Sequence, residues 1–473
     1  MRTARYRSFT VAARKSLVAA RKSLLSRDCE EAVQYARLSN LLLFCAACTL
    51  AAQTPPAMPE LRPWTLPPVY ETTLPNGFTL VALEDGRVPM VTMRLVFPGG
   101  SRSDPKDLPG VASAIADLLL QGTANRAASE FQESVAILGA SMNVVAGADQ
   151  ISIAGSVIAE NVPGLLELAS EAAREASFPE LEMVLYRQTR KLALARQRAQ
   201  PGYVVNEFFR AAIFGEHPYA HTGATVVSID RMSRQAVVDY HDRYFVPNNA
   251  ILILVGKLSA HAQVMKMVTE RFSSWPRKPL AETPAANVPA PKRRLILLDR
   301  PGAARAEIRL GAMVATPRDA DYFPLIAASL VVGGEIAGFD EAGVFTMAAQ
   351  AANEGVADAL QSMLERLERI SRDAVTAREL NDARAAGIGR FLLRLEPQAG
   401  LADELALLKT LHLPADYIGT YTVRMNAVTP DQVWQAAKKY LAPENETIVV
   451  AGDASKLQAQ LQKIGAFEIS RAK

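Results

Sequence analysis

Cysteine and histidine, the side chains that most often bind zinc, are scarce in this 473-residue chain. All three cysteines precede residue 49, so the rest of the chain has neither a disulfide nor a thiolate metal site. The five histidines form neither H-x-x-H nor H-E-x-x-H. His217 and His221 have the spacing of a helical metal pair, but Pro218 disfavours a helix at that point. We therefore expect no histidine or cysteine zinc motif.

An excess of charge is also missing. Net charge is +3, hydrophobic residues make up 49% and charged residues 21%, which is ordinary for a soluble globular protein. A strongly basic nucleic-acid-binding surface is not indicated, so we expect no nucleic-acid partner. The length is sufficient for two or three domains with large cores.

The first 53 residues have the features of a signal or targeting region. A short apolar segment with small residues, 39–52, follows a basic stretch and is typical of a secretory signal peptide. It is too short for a transmembrane helix. We expect export to the bacterial periplasm, either as a free protein or as a lipoprotein tethered to the membrane through Cys48. A mitochondrial location is the alternative, because residues 1–27 are rich in Arg and Ser and contain no acid.

The remainder of the chain repeats itself. Residues 217–256 align without a gap on residues 413–452. In each copy a predicted helix ends in a tyrosine, a proline stops it, and an apolar strand ends at glycine, which indicates duplication. A segment with five prolines between the copies predicts an extended linker. The predicted divisions are a Pro-rich leader 54–67, an N-terminal domain 68–276, a linker 277–294 and a C-terminal domain 295–473.

Strand and helix signals alternate within both halves. Asn76-Gly77 predicts a hairpin turn before an apolar strand, and a long helix is predicted from about Pro179 to Gln200. The fold class we expect is α+β. Each of the two homologous domains would have an antiparallel-rich sheet backed by helices, and the halves would face each other like a clamshell.

A predicted helix from about Pro109 to Leu120 carries the functional argument. Around it and along the chain lie the strings Leu74-Pro-Asn-Gly, Phe97-x-Gly-Gly-Ser-Arg, Gly110-Val-Ala followed by Gly122-Thr123, Phe214-Gly-Glu-His-Pro-Tyr219, Tyr244-x-x-Pro-Asn-Asn and Val449-Val-Ala-Gly-Asp453. In this order and spacing the chain resembles the pitrilysin/insulinase-type zinc peptidases, in the branch of mitochondrial processing peptidase and the cytochrome bc1 core proteins, over roughly residues 68–460. In frame and surroundings the predicted helix resembles the one on which this family carries H-x-x-E-H.

The resemblance implies that the catalytic residues have been lost. In the family motif two His hold zinc and the Glu activates water. The corresponding positions here are Ser113, Ala116 and Asp117. The family's third ligand, a Glu, falls near Leu194, where no acid is present. We therefore expect no catalytic residue and no cofactor in this chain, with zinc only in a partner chain.

The second half is expected to be incomplete as well. Active relatives have Arg and Tyr there, on a hairpin after a Gly-Gly turn. Here only residues 335–342 separate Gly334 from Gly343, so we expect that hairpin to be deleted. Asp340 and Glu341 are too isolated in the sequence to suggest an acid-base pair.

The function that these features favour is that of a non-catalytic subunit. It would form a heterodimer with a catalytic homologue that carries H-x-x-E-H, and peptides are the implied substrates. One alternative is an active zinc metalloendopeptidase whose ligands come from elsewhere in the chain. The other is a stand-alone periplasmic protein that binds peptides or serves as a scaffold.

Overall fold

The computed structural model describes residues 65–280 and 287–471. The predicted signal region and most of the Pro-rich leader lie outside the described residues. Within the described ranges, no helix combines the length and the apolarity that crossing a membrane requires.

The first half contains one six-stranded sheet. Its order is β1-β2-β6-β3-β5-β4, and all neighbours are antiparallel except β2 and β6. The strands are β1 (Val69–Thr73), β2 (Thr79–Glu84), β3 (Met90–Pro98), β4 (Ser141–Ala146), β5 (Gln150–Ile158) and β6 (Ile251–Gly256). The helices are α1 (Val111–Leu118), α2 (Ala128–Ile137), α3 (Val162–Glu175), α4 (Glu180–Ala199), α5 (Pro201–Phe214), α6 (Val226–Arg231), α7 (Arg234–Tyr244) and α8 (His261–Phe272).

The second half contains another six-stranded sheet, in the order β12-β7-β11-β8-β10-β9. Its strands are β7 (Arg294–Asp299), β8 (Arg305–Val314), β9 (Glu335–Gly338), β10 (Gly343–Ala352), β11 (Thr447–Gly452) and β12 (Glu468–Arg471). Its helices are α9 (Tyr322–Val332), α10 (Val356–Arg372), α11 (Ala377–Leu395), α12 (Gln398–Thr410), α13 (Tyr417–Ala427), α14 (Pro430–Tyr440) and α15 (Ala454–Leu461). The α+β prediction is therefore confirmed, while the exact domain boundaries stay predictions.

The predicted repeat is visible in the elements themselves. Helix α7 ends at Tyr244 and α14 ends at Tyr440, and a short 3-10 helix that begins at a proline follows each of them. Strands β6 and β11 then begin and end at corresponding positions of the two copies. The same local signals therefore produce the same helix, turn and strand in both halves.

The central strands bury side chains on both faces. In β2, Leu80 and Ala82 join the core formed with helices of the first half. The alternate residues Val81 and Leu83 join a core that is shared with the second half. Because successive side chains of a strand point to opposite faces, a sheet covered on both sides requires such a continuous apolar run.

The two halves exchange one helix each. Helix α5 of the first half packs on β8 and β11 of the second sheet, and α12 of the second half packs on β3 and β6 of the first sheet. These two helices occupy corresponding places in the two copies. Each sheet thus faces the opposite half, as predicted, and is covered there by a helix of that half.

Candidate functional site

A half-buried acidic residue, Asp104, precedes helix α1. The carboxylate of Asp104 accepts hydrogen bonds from the backbone N–H groups of Gly110, at 2.6 Å, and Ala112, at 2.8 Å. Burial nevertheless raises the pKa of Asp104 to about 7. Gly110 has a φ of 102°, and a Cβ on it would lie 2.4 Å from that of Ala224. The start of α1 is thus held by backbone hydrogen bonds in close contact with the loop before α6.

The structure brings the three degenerate motif positions together. Ser113, Ala116 and Asp117 have the i, i+3, i+4 spacing that places side chains on one helix face. Ser113 and Ala116 are half-buried and Asp117 is exposed. The remaining residues of α1 are all buried in the core. The face expected from the resemblance therefore exists, but it carries a hydroxyl, a methyl and one carboxylate.

Helix α4 packs against α1. Tyr186, Arg190 and Leu194 lie at successive turns of α4. Although Asp117 is exposed, desolvation by the protein atoms around it raises the pKa of its carboxyl, while the positive charge of Arg190 opposes that rise. The Tyr186 hydroxyl is buried without a hydrogen-bond partner among the described residues. Leu194, near the predicted position of the third ligand, is 2% exposed and lies in an apolar cluster with Ala224 and Ile229.

These residues do not fit a zinc ion. Zinc in proteins requires several nitrogen, sulfur or carboxylate oxygen donors that converge at about 2.0–2.3 Å. Asp117 is the one carboxylate among the four corresponding positions, and the guanidinium of Arg190 lies close enough to act on its charge. Between residues 65 and 280 and between 287 and 471, no group of three or more His, Cys, Asp or Glu is placed to hold a metal.

Replacing Asp117 by alanine is expected to change the free energy of unfolding by no more than about 0.5 kcal/mol. The side chain is exposed and forms no hydrogen bond or ion pair with the described residues. Urea unfolding at pH 7 measures the effect, with Asp239→Ala, another exposed helical aspartate, as the matched control. A loss above about 1.5 kcal/mol for Asp117→Ala alone would show that the carboxylate has a structural role.

A second polar cluster lies between the two halves and centres on Arg102. Its guanidinium donates to Asp340 at 2.7 Å and lies 3.7 Å from the Asp149 carboxylate. The Tyr219 hydroxyl donates to Asp149 as well. Burial raises the pKa of Asp149, while the Tyr219 hydrogen bond and the Arg102 charge oppose the rise. Arg318 completes the charge balance with a 2.8 Å bond to Asp340.

His217 belongs to this cluster as well. The backbone N–H of Tyr219 donates to His217 Nδ1 at 3.1 Å, so the ring hydrogen lies on Nε2. His217 Nε2 in turn donates to Glu341 at 2.9 Å. Both ring nitrogens are therefore engaged: Nδ1 holds the turn after α5, and Nε2 contacts the second half.

Two predictions about the second half are corrected here. The hairpin expected to be deleted is present in a shorter form, because β9 and β10 pair directly. The backbone N–H of Phe339 donates to the carbonyl of Ala342 at 2.8 Å and closes a turn with Asp340 and Glu341 at its tip. These two acids, which the sequence suggested were isolated, thus extend into the Arg102 cluster. The sequence analysis had singled out Arg102, His217 and Tyr219 as members of family-like strings. Those strings did not indicate a contact with Asp340 or Glu341.

Comparisons with known proteins agree with this architecture. The model of the insulinase family, peptidase family M16, matches residues 80–224, and the model of the peptidase M16 inactive domain matches residues 231–386. An uncharacterized zinc protease of Mycobacterium tuberculosis is 21% identical over 71% of this chain and 82% of its own length. Cytochrome b-c1 complex subunit 1 of Caenorhabditis elegans is 26% identical over 45% of each chain.

The solved structures give the same fold. A peptidase M16 inactive domain from Pseudomonas fluorescens superimposes with a TM-score of 0.75 at 20% identity, over 81% of this chain and 98% of that chain. The two family models match consecutive segments that together make up more than half of the sequence. The chain therefore belongs to the insulinase family of peptidases, family M16.

Proposed function

We propose that this chain is a non-catalytic member of its family and that it acts in a complex with a homologue that carries H-x-x-E-H. One observation carries the proposal: the positions on α1 that correspond to the zinc motif hold Ser113, Ala116 and Asp117. Water activation at this place would need a metal and a base. The chain provides neither at these positions, whereas the fold around them is intact.

The surroundings of α1 support the same proposal. Arg190 on the facing helix carries a positive charge near Asp117, where a metal cation would have to bind. Leu194 takes the place near the third ligand and is buried among apolar side chains. We propose accordingly that the isolated chain holds no stoichiometric zinc and that zinc is bound by the partner.

The absence of catalytic residues leads us to expect a binding role. Folding two large domains has a high entropic cost, and we expect a fold that keeps no catalytic residues to bind another molecule. The similar bc1 protein is by its name a subunit of a complex. A specific contact of the proposed kind should bury at least roughly 1,000 Å². We propose export as its setting, on the basis of the signal-like segment 39–52.

Co-expression of the full chain with an H-x-x-E-H homologue from the same organism tests the proposal. We expect a stable complex with peptidase activity and one zinc per heterodimer, while the isolated chain after dialysis has neither. A complex whose homologue has Gln for the motif Glu is the inactive control. Asp117→Ala in this chain should leave the activity of the complex unchanged.

Two results would decide against the subunit role. If the chain is recovered alone and the homologue cleaves equally well without it, the stand-alone binding or scaffold function takes its place. About one tightly held zinc per isolated chain, with peptidase activity, would instead favour an active zinc peptidase with ligands from elsewhere.

A further inference from the structure

A cavity of about 370 Å³ lies between the exchanged helix α5 and the outer strands of the second sheet. Asn206 and Arg210 line it from α5, Arg309 from β8 and Thr346 from β10. Glu335 on β9 is the one acidic side chain in this lining, and it is exposed. The remaining walls are largely apolar. Arg210 and Arg309 therefore both line the cavity, one from the helix and one from the sheet.

Arg309 forms no ion pair with a carboxylate of the described residues. One of its terminal nitrogens donates to the amide oxygen of Asn206 at 2.7 Å, and its Nε is buried without any partner among the described residues. Burial lowers the pKa of Arg309, and Glu307 and Glu335 oppose this only through their more distant charges. A neutral amide oxygen is thus the nearest compensation for a half-buried cation.

Arg210, on α5, also lacks a carboxylate within ion-pair distance among the described residues, although the charge of Asp149 acts on it. Its Nε donates to the backbone carbonyl of Tyr219 at 2.9 Å. Its guanidinium lies 5.3 Å from the ring centroid of Phe214 and 5.0 Å from that of Phe339. Neither Arg210 nor Arg309 forms an ion pair with the described residues, and burial lowers the pKa of Arg210 as well. Aromatic faces stabilise this cation without neutralising it.

Two further polar groups of the lining can donate hydrogen bonds. Asn206 uses its amide oxygen for Arg309, so its amide nitrogen is left to donate. The Thr346 hydroxyl forms no hydrogen bond with the described residues and lies in the same lining. A partly desolvated guanidinium without a carboxylate is costly, and an oxyanion that accepts from it relieves that cost.

We propose that this cavity binds an oxyanion, the carboxylate or phosphate group of a small ligand, between Arg210 and Arg309. The Phe209 and Val344 side chains in the walls favour an apolar body behind the anionic group. This site is separate from α1, and it does not depend on the proposed subunit role.

Calorimetric titration of the full chain at pH 7 with benzoate, benzamide and inorganic phosphate tests the proposal. Benzamide has the shape of benzoate without its charge. We expect benzoate or phosphate to bind with a dissociation constant between about 10 µM and 5 mM, which is typical of a fragment in a charged site. Benzamide should bind at least about tenfold more weakly than benzoate, because it lacks the charge-assisted hydrogen bonds. Binding of benzoate alone identifies a carboxylate on an apolar body, and binding of phosphate alone identifies a phosphate group.

Variants locate the binding. Arg309→Met should lower the affinity for the anion at least about tenfold. The melting temperature of the free protein should stay unchanged or rise, since an unpaired half-buried charge is removed. The matched control is Arg384→Gln, which removes another half-buried arginine whose Nε has no partner, on α11 and away from the cavity. It should change the affinity less than twofold. The proposal is overturned if neither benzoate nor phosphate gives a binding heat at about 50 mM, ten times the weakest expected dissociation constant. It is also overturned if benzamide binds as tightly as benzoate, or if Arg384→Gln weakens anion binding as much as Arg309→Met does.

Discussion

Replacing Arg102 by methionine is expected to lower the free energy of unfolding by about 3–5 kcal/mol at pH 7, the usual effect of breaking a buried ion pair. Its side chain is 13% exposed, and those of Asp149 and Asp340 are 8% and 12% exposed. Methionine fills much of the same volume, so the loss measures charge rather than packing. Removing the cation leaves Asp149 buried beside a second carboxylate, with Arg318 as the remaining cation near Asp340.

The effect should depend on pH in a defined direction. Burial raises the pKa of Asp149 even with Arg102 present, and without Arg102 that pKa rises further above its value in the unfolded chain. A raised carboxyl pKa costs stability as the pH increases through the ordinary carboxyl range, because the folded state resists ionisation. The deficit of Arg102→Met relative to the wild type should therefore be largest at neutral pH and smaller near pH 4.

Urea unfolding at the two pH values measures this prediction. Arg231→Met is the control, since Arg231 pairs with Asp107 at 3.0 Å but both side chains are more than half exposed. An exposed pair of this kind contributes less than about 1 kcal/mol. If both variants lose equally little, the Arg102 cluster does not hold the halves together.

The Phe209→Ala variant of α5 should also lose about 3–5 kcal/mol, as is usual when a large buried aromatic side chain is truncated. Phe209 is 1% exposed and lies in the core that α5 forms with the second sheet. A Cβ on Gly311 of β8 would lie 2.7 Å from the tip of this ring. The ring therefore packs directly on bare strand backbone, and a cavity would remain between the sheet and α5 after truncation.

The expected loss should appear as one transition for both halves, because α5 belongs to the first half in sequence and covers the second in space. Circular dichroism and the fluorescence of Trp275 and Trp434, which lie one in each half, show whether the two halves unfold in a single transition. Phe208→Ala, on the same helix but only half-buried, should lose markedly less. Separate transitions of the two halves in Phe209→Ala would show that the exchanged helix does not couple them.

Features that depend on short stretches of chain could be predicted from the sequence alone. Tyrosine, proline and an apolar run within a few positions specify where α7 and α14 end and where β6 and β11 begin. Hydrogen bonding and steric restriction act between near neighbours here, so both copies show them. The loss of the motif side chains is equally local, because Ser113 cannot provide an imidazole in any conformation.

How the two halves meet could be seen only in the folded structure. Nothing in the sequence near residue 340 shows that Asp340 and Glu341 form the tip of a hairpin against Arg102. The partners are more than 200 positions apart, and a single contact between halves leaves no periodic pattern. The sequence likewise does not indicate that Arg190 lies near Asp117, that Arg210 and Arg309 line one cavity, or that the halves exchange α5 and α12. The apolar face of a helix indicates that it must be buried, but the surface that buries it depends on how the whole chain packs.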